Sequence, residues 1–112
     1  MDKRPMSQIE IKVLNTIRNR ANFDKPIKAQ ILRSEFDLNK RELEEVVENL
    51  RVIFKHPIVA KKVQPSGYYL PRNDKERNAG LAPYKQQILT SQRNLTAVVS
   101  VDLNEYWRLD HE

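Results

Sequence analysis

Apolar residues recur at helical spacing along the first half of the chain. In SQIEIKVLNTIRNR, Ile9, Val13 and Ile17 share a face with Leu14, which predicts an amphipathic helix. Ser7 followed by Glu10 has the spacing of a capping box at its start. Glu10, Lys12, Arg18 and Arg20 mostly fall off the apolar stripe. ANFDKPI breaks the pattern, because Pro26 biases Lys25 towards extended backbone; a loop or a short strand around Pro26 and Ile27 is expected. KAQILRSEF predicts a short helix with Ala29, Leu32 and Phe36 inward and Ile31 alongside. DLNK reads as a tight turn, since Asp and Asn tolerate turn conformations.

The strongest periodicity lies in KRELEEVVENLRVIF. Leu43, Val46, Val47 and Leu50 follow the i, i+3, i+4, i+7 rule, and Ile53 and Phe54 extend it. Asn39 is a good N-cap with Glu42 at the third position, and Pro57 ends the segment. HPIVAKKVQPSGYYLP changes period. Strands over about Ile58–Val63 and Tyr68–Pro71 are expected, joined by Gln64-Pro65-Ser66-Gly67, in which Pro65 sets φ and Gly67 permits unusual φ. Ile58, Ala60 and Lys62 would point one way and Val59, Lys61 and Val63 the other. A hairpin this short does not fold alone. It is expected to lean on Leu43, Val46 and Leu50, with Tyr68 or Tyr69 and Leu70 closing the core.

From Asn73 the pattern is helical again. Asn73 with Glu76 offers a cap, Gly80 interrupts, and Pro83 suits a first helical position, so a long helix over about 83–99 is expected. Leu81, Tyr84, Ile88, Leu95 and Val98 recur along it at three-, four- or seven-residue spacing. VVSV is poor helix material because β-branched side chains lose freedom there. Asp102 with Glu105 would start a short final helix carrying Tyr106 and Trp107.

Charge sharpens this picture. The 112 residues carry a net +5, unevenly spread. Residues 1–35 balance at +4 and residues 39–51 at −1, while 52–72 hold Lys55, Lys61, Lys62 and Arg72 with no acid. An acid-free basic stretch favours a polyanion such as nucleic acid; a solvated basic edge that blocks strand-to-strand aggregation is the plainer reading. The absence of cysteine excludes disulfides and thiol chemistry and fits a reducing cytoplasm. No run of 18 apolar residues occurs, and MDKRPMSQIE lacks the apolar stretch of a signal peptide, so a soluble cytoplasmic protein is expected. His56 and His111, without cysteine, make no metal constellation. Neither GxGxxG nor GxxxxGKT is present, and the carboxylates lie on helix faces without a nucleophile or base beside them. No enzyme and no cofactor are expected.

The order of helix, short extended piece, helix, tight turn, helix and basic hairpin resembles the winged helix-turn-helix domain. IEIKVLNTI stands for the first helix, PIKAQILRSEFDLNKRELEEVVENLR for the helix-turn-helix, and HPIVAKKVQPSGYYLP for the wing. The resemblance covers about residues 7–72. The short lead from IVA through SG to GYYL looks especially like the biotin-repressor-like branch, and also like small winged-helix proteins of phages and prophages of Gram-positive bacteria. Two positions depart from that pattern: Lys28 stands where a Ser or Thr usually caps the second helix, and Asp37 where the turn usually has glycine.

The resemblance implies an α+β, mainly α fold, a three-helix core with a β-hairpin wing over 1–72, to which the tail's own periodicity adds a C-terminal helical extension over 73–112. It also implies binding to double-stranded DNA, in a transcriptional or replication role of the phage type. The third helix would enter the major groove, with Lys40 and Arg41 near its start and Arg41 placed for a bidentate contact to guanine. Lys28 would meet a phosphate. Glu44 could accept from cytosine N4, and Arg51 shares that outward face. Lys61 and Lys62, with Gln64 and Ser66 at the turn, would lie along the backbone or a minor groove. Glu44, Glu45 and Glu48 oppose a phosphate backbone, so the wing is expected to carry more affinity than the helix. They also suit a second reading, a winged-helix adaptor docking on a replication or transcription protein. Stacking of Tyr68 and Tyr69 on single strands is the weaker alternative to their packing on the sheet. Leu81, Tyr84, Ile88, Leu95, Val98, Tyr106 and Trp107 would either pack on the domain's own core or form a homodimer.

Overall fold

A computed structural model describes residues 4–110, with side chains through 108. Five helices and one two-stranded antiparallel sheet follow in the order α1 (Gln8–Arg20), α2 (Ala29–Phe36), α3 (Lys40–Val52), β1 (Val59–Lys61), β2 (Gly67–Tyr69), α4 (Asp74–Val99) and α5 (Leu103–Asp110). The chain divides into two compact units, the first ending at Leu81 and the second beginning at Ala82.

Local chemistry sets the starts of α1 and α3. Ser7 and Glu10 form a reciprocal capping box, as do Asn39 and Glu42, so each helix satisfies two of its otherwise orphaned N–H groups. Lys28 supplies no side-chain cap to α2, whose first turn instead rests on backbone bonds to the Lys28 carbonyl. At the other end of α2, Asp37 takes the left-handed conformation that glycine usually fills (φ 53°), and the N–H of Leu38 donates to the Arg33 carbonyl. The turn into α3 is thus made by an aspartate tolerating αL. The helix α3 stops at Val52, short of Phe54, because the chain reverses through a left-handed Lys55 (φ 61°) that turns the His56 N–H onto the Leu50 carbonyl.

The core gathers one face from every element of the first unit. Val13, Leu14 and Ile17 of α1, Leu32 of α2, and Leu43, Val46, Val47 and Leu50 of α3 are buried with Ile27, Ile58, Val59 and Tyr69. Each such aliphatic side chain contributes about 1.5–3 kcal/mol relative to exposure. Ala29 and Phe36 pack at its edge, whereas Ile31 is 43% exposed: it lies one residue off the α2 stripe, on the solvent side.

The extended piece before α2 is paired. Ile27 and Tyr68 exchange both backbone hydrogen bonds, at 2.9 and 2.8 Å, so β2 is bonded to β1 on one side and to Ile27 on the other. The ladder Val59–Tyr69, Ala60–Tyr68 and Lys61–Gly67 trims the expected first strand at both ends, while β2 starts one residue earlier than expected, at Gly67, and stops short of Leu70; Val63 is exposed. Strand β2 meets α1, while the hairpin's hydrogen-bonded tie to α3 is the Arg51 guanidinium, whose Nε donates to the Ile58 carbonyl at 2.7 Å. Of the two tyrosines, Tyr69 is fully buried and Tyr68 lies half-buried beside the core.

The helix α4 departs most from the sequence expectation. It begins at Asp74, with the Glu76 N–H on Asn73 Oδ1 at 2.8 Å, and runs unbroken through Gly80 and Pro83. Gly80 does not interrupt it because this glycine serves an approach and not a turn. A Cβ there would run into Tyr69 Oη and the Val59 side chain. Pro83, expected at a helix start, lies inside, where it removes one N–H that would otherwise donate to the Ala79 carbonyl. In the second unit Asp102 Oδ1 accepts from the Glu105 N–H and opens α5, on which Tyr106 and Trp107 pack edge to face. Among the described residues no helix is long and apolar enough to cross a membrane.

Candidate nucleic-acid interface

The proposed footprint begins at two helix starts. Lys28 is exposed at the N-cap of α2, and Lys40 and Arg41 are exposed in the first turn of α3. Four residues on, the same surface turns acidic. Arg41, Glu44, Glu45, Glu48, Asn49 and Arg51 line one shallow, polar depression, with all three glutamates in solvent. The structure thus joins Arg41, Glu44 and Arg51 on a single face. It also gives Arg51 a structural duty, the clamp on Ile58 described above.

The wing lysines divide. Lys61 is drawn inward: its Nζ donates to the Phe23 carbonyl at 3.0 Å and sits 4.0 Å from the centroid of the Phe23 ring. Phe23 in turn packs edge to face on Tyr69, with centroids 5.5 Å apart. A cation in contact with both a carbonyl and an aromatic face has its charge largely satisfied within the fold. Lys62 is exposed at the edge of the turn. Gln64 folds over that turn, its Oε1 accepting from the Ser66 N–H at 3.4 Å, and Ser66 is half-buried. Of the expected dimer residues, Leu81 packs on the first unit's core, while Ile88, Leu95, Val98, Tyr106 and Trp107 are more than half exposed.

Sequence reading missed the most elaborate polar site. Glu10 is only 3% exposed, yet it accepts from the two terminal Arg4 nitrogens, Nη1 and Nη2, at 2.8 and 2.7 Å, from the Ser7 N–H at 2.8 Å and from Asn49 Nδ2 at 3.3 Å. Arg4 also lies 5.1 Å from the centroid of the Phe54 ring. The only local signal was the capping box; Asn49 comes from a helix 39 residues away in sequence. The Arg4 guanidinium holds the Glu10 carboxyl down, from an ordinary 4.5 to about 2, against the burial that would raise it.

The sign of the consequence follows from linkage. A depressed folded-state pKa contributes stability above the unfolded value of 4.5, and that contribution is lost as pH falls through about 2. Glu10→Gln is expected to destabilise by on the order of 1–3 kcal/mol at neutral pH, the range for hydrogen bonds to charged groups. Arg4 is half exposed, so screening favours the low end. Urea midpoints measured between pH 7 and pH 2 should converge for wild type and variant at the acid end; parallel curves would deny the ion pair this role.

No three metal-ligating side chains cluster among the described residues, and His111 lies outside them. Comparison with protein-family models, with curated proteins and with solved structures gave no match.

Proposed function

We propose that residues 7–72 form a winged helix-turn-helix domain that binds double-stranded DNA, α3 entering the major groove. The observation that carries this reading is the pairing of Ile27 with Tyr68. It ties the segment before α2 to the hairpin after α3, so helix-turn-helix and wing share one core. Exposed Lys28, Lys40 and Arg41 at the helix starts agree with it, since those positions meet phosphates and base edges in such a docking. Lys61 is held by Phe23, and Lys62 is the more exposed of the two wing lysines. A regulatory or replication role in a bacterial or phage-infected cytoplasm is the setting this reading implies.

Titrating fluorescent duplex DNA across a salt series tests it. The logarithm of the affinity is expected to fall linearly with the logarithm of salt, and Arg41→Ala to weaken binding by roughly tenfold, the low end expected for a base contact. Absence of binding at low salt would defeat the reading.

The exposed glutamates favour a second one, a protein adaptor whose α3 face takes a basic partner. Neutralising Glu44, Glu45 and Glu48 together to glutamine separates the two. Tighter DNA binding is expected if this helix lies near phosphate, and unchanged DNA binding if it does not.

A further inference from the structure

We propose that Glu10, Asn49 and Phe54 form a socket for an arginine side chain, which Arg4 occupies here and which an arginine of a basic partner peptide enters in its place. The floor is the Glu10 carboxylate, 3% exposed, facing the two terminal guanidinium nitrogens at 2.7 and 2.8 Å. Such a fork-on-fork pair reads a planar guanidinium and not a point charge. The Phe54 ring lies 5.1 Å from the guanidinium carbon, and Asn49 Nδ2 and the Ser7 N–H donate to the carboxylate oxygens at 3.3 and 2.8 Å. Those groups belong to α1 with its cap, to α3 and to the residues just after it, so the folded core builds the socket without the segment that fills it. The occupant is the removable part. Arg4 lies ahead of α1, in a stretch with no helix or strand, and its side chain is 46% exposed over an almost fully buried acid. Its Nη1 also donates to the neighbouring Pro5 carbonyl, which ties it to its own segment and not to the core. Without Arg4 the carboxylate would be held out of water with no counter-charge, a costly state that an incoming guanidinium relieves.

Charge identifies the partner. Asn49 belongs both to the socket and to the shallow depression along α3 that holds Glu44, Glu45 and Glu48. Glu45 stands one helical turn before Asn49 on the same stripe. Of the two cations on that depression, Arg51 is turned to the Ile58 carbonyl and Arg41 lies about two turns from Asn49. A basic, extended peptide laid along the glutamates therefore reaches the socket at one end. Tethered Arg4 competes with an effective concentration in the millimolar range. A ligand that grips the socket alone does not displace it, whereas one that also grips the glutamates can. The partner rests on the adaptor reading of α3, and the socket itself on neither functional reading.

Methylguanidinium, titrated into the full chain at constant ionic strength, tests the socket. The thermal midpoint of Arg4→Ala is expected to rise by about 4–8 °C once the ligand stands at about four times its Kd. If that variant is unfolded without ligand, the same titration reads as recovered helical circular dichroism. Ethylammonium, a cation without the fork, should give no shift. Neither should methylguanidinium on wild type, or on Arg4→Ala combined with Glu10→Gln. Tri-arginine is expected to act on Arg4→Ala at roughly tenfold lower concentration than methylguanidinium, and Glu45→Gln with Glu48→Gln to remove that advantage. No rescue up to tens of millimolar, or equal rescue by ethylammonium, would overturn the socket. Rescue by methylguanidinium with no advantage for tri-arginine would overturn the peptide partner alone.

Discussion

Tyr69→Ala is expected to cost about 3–5 kcal/mol, the range for truncating a buried aromatic. A small domain has only about 5–15 kcal/mol to lose. Tyr69 is fully buried and touches three parts of the fold. Its ring meets Phe23 edge to face, its hydroxyl donates to the Glu76 carbonyl at 2.7 Å, and it lies beneath Gly80. One side chain thus fastens the loop after α1, strand β2 and the first turns of α4. Tyr69→Phe separates packing from hydrogen bonding and is expected to cost only about 1 kcal/mol.

Alkaline titration supplies an independent check on Tyr69. Burial, and then the charge of Glu76, raise the Tyr69 pKa above its ordinary 10. A raised folded-state value means stability that is present below the unfolded pKa and lost as pH climbs towards the folded one. Wild type should therefore lose stability above about pH 10, and Tyr69→Phe should lose less of it. Equal alkaline sensitivity of the two proteins would show that the hydroxyl is not desolvated as described.

Gly67→Ala should be nearly as damaging, for a backbone reason. Gly67 has φ +144°, where L side chains rarely go, and an added Cβ would lie 2.5 Å from the Ile27 carbonyl oxygen. That oxygen belongs to the pair of hydrogen bonds joining Ile27 to Tyr68, so no flexible group can yield. Strain of about 1–3 kcal/mol adds to two weakened hydrogen bonds of about 1 kcal/mol each. A loss of roughly 3–5 kcal/mol is expected from urea denaturation, with Ser66→Ala as a near-neutral neighbour. A change below about 1 kcal/mol would mean that Ile27 moves aside freely and is not bonded to the sheet.

Local signals in the sequence account for much of this architecture. The capping boxes at Ser7–Glu10 and Asn39–Glu42 and the stripe Leu43, Val46, Val47, Leu50 occur where their spacing places them, because their causes lie within one or two helical turns. The candidate site was legible only as residue types. Lys28, Lys40 and Arg41 are exposed as expected, but sequence spacing could not reveal that Lys61 would turn onto Phe23, 38 residues earlier, or that Arg51 would clamp Ile58. A lysine in a strand reads the same whether water or an aromatic ring receives it.

Both glycines carry the same lesson. Gly67 looked like turn chemistry and Gly80 like a helix break, yet each is a place where another part of the chain comes too close for a side chain. Gly80 stays helical because Asn73 starts α4 early and Tyr69 holds its first turns against the core. By itself, then, the sequence determined α1, α2 and α3 with their inward faces, and the caps of α1 and α3, since these depend on neighbours along the chain. Only the tertiary structure decided which glycines are contacts, which cations are spent inside the fold and which apolar face is left uncovered. Those depend on which surfaces meet, and that is set by the packing of the whole core.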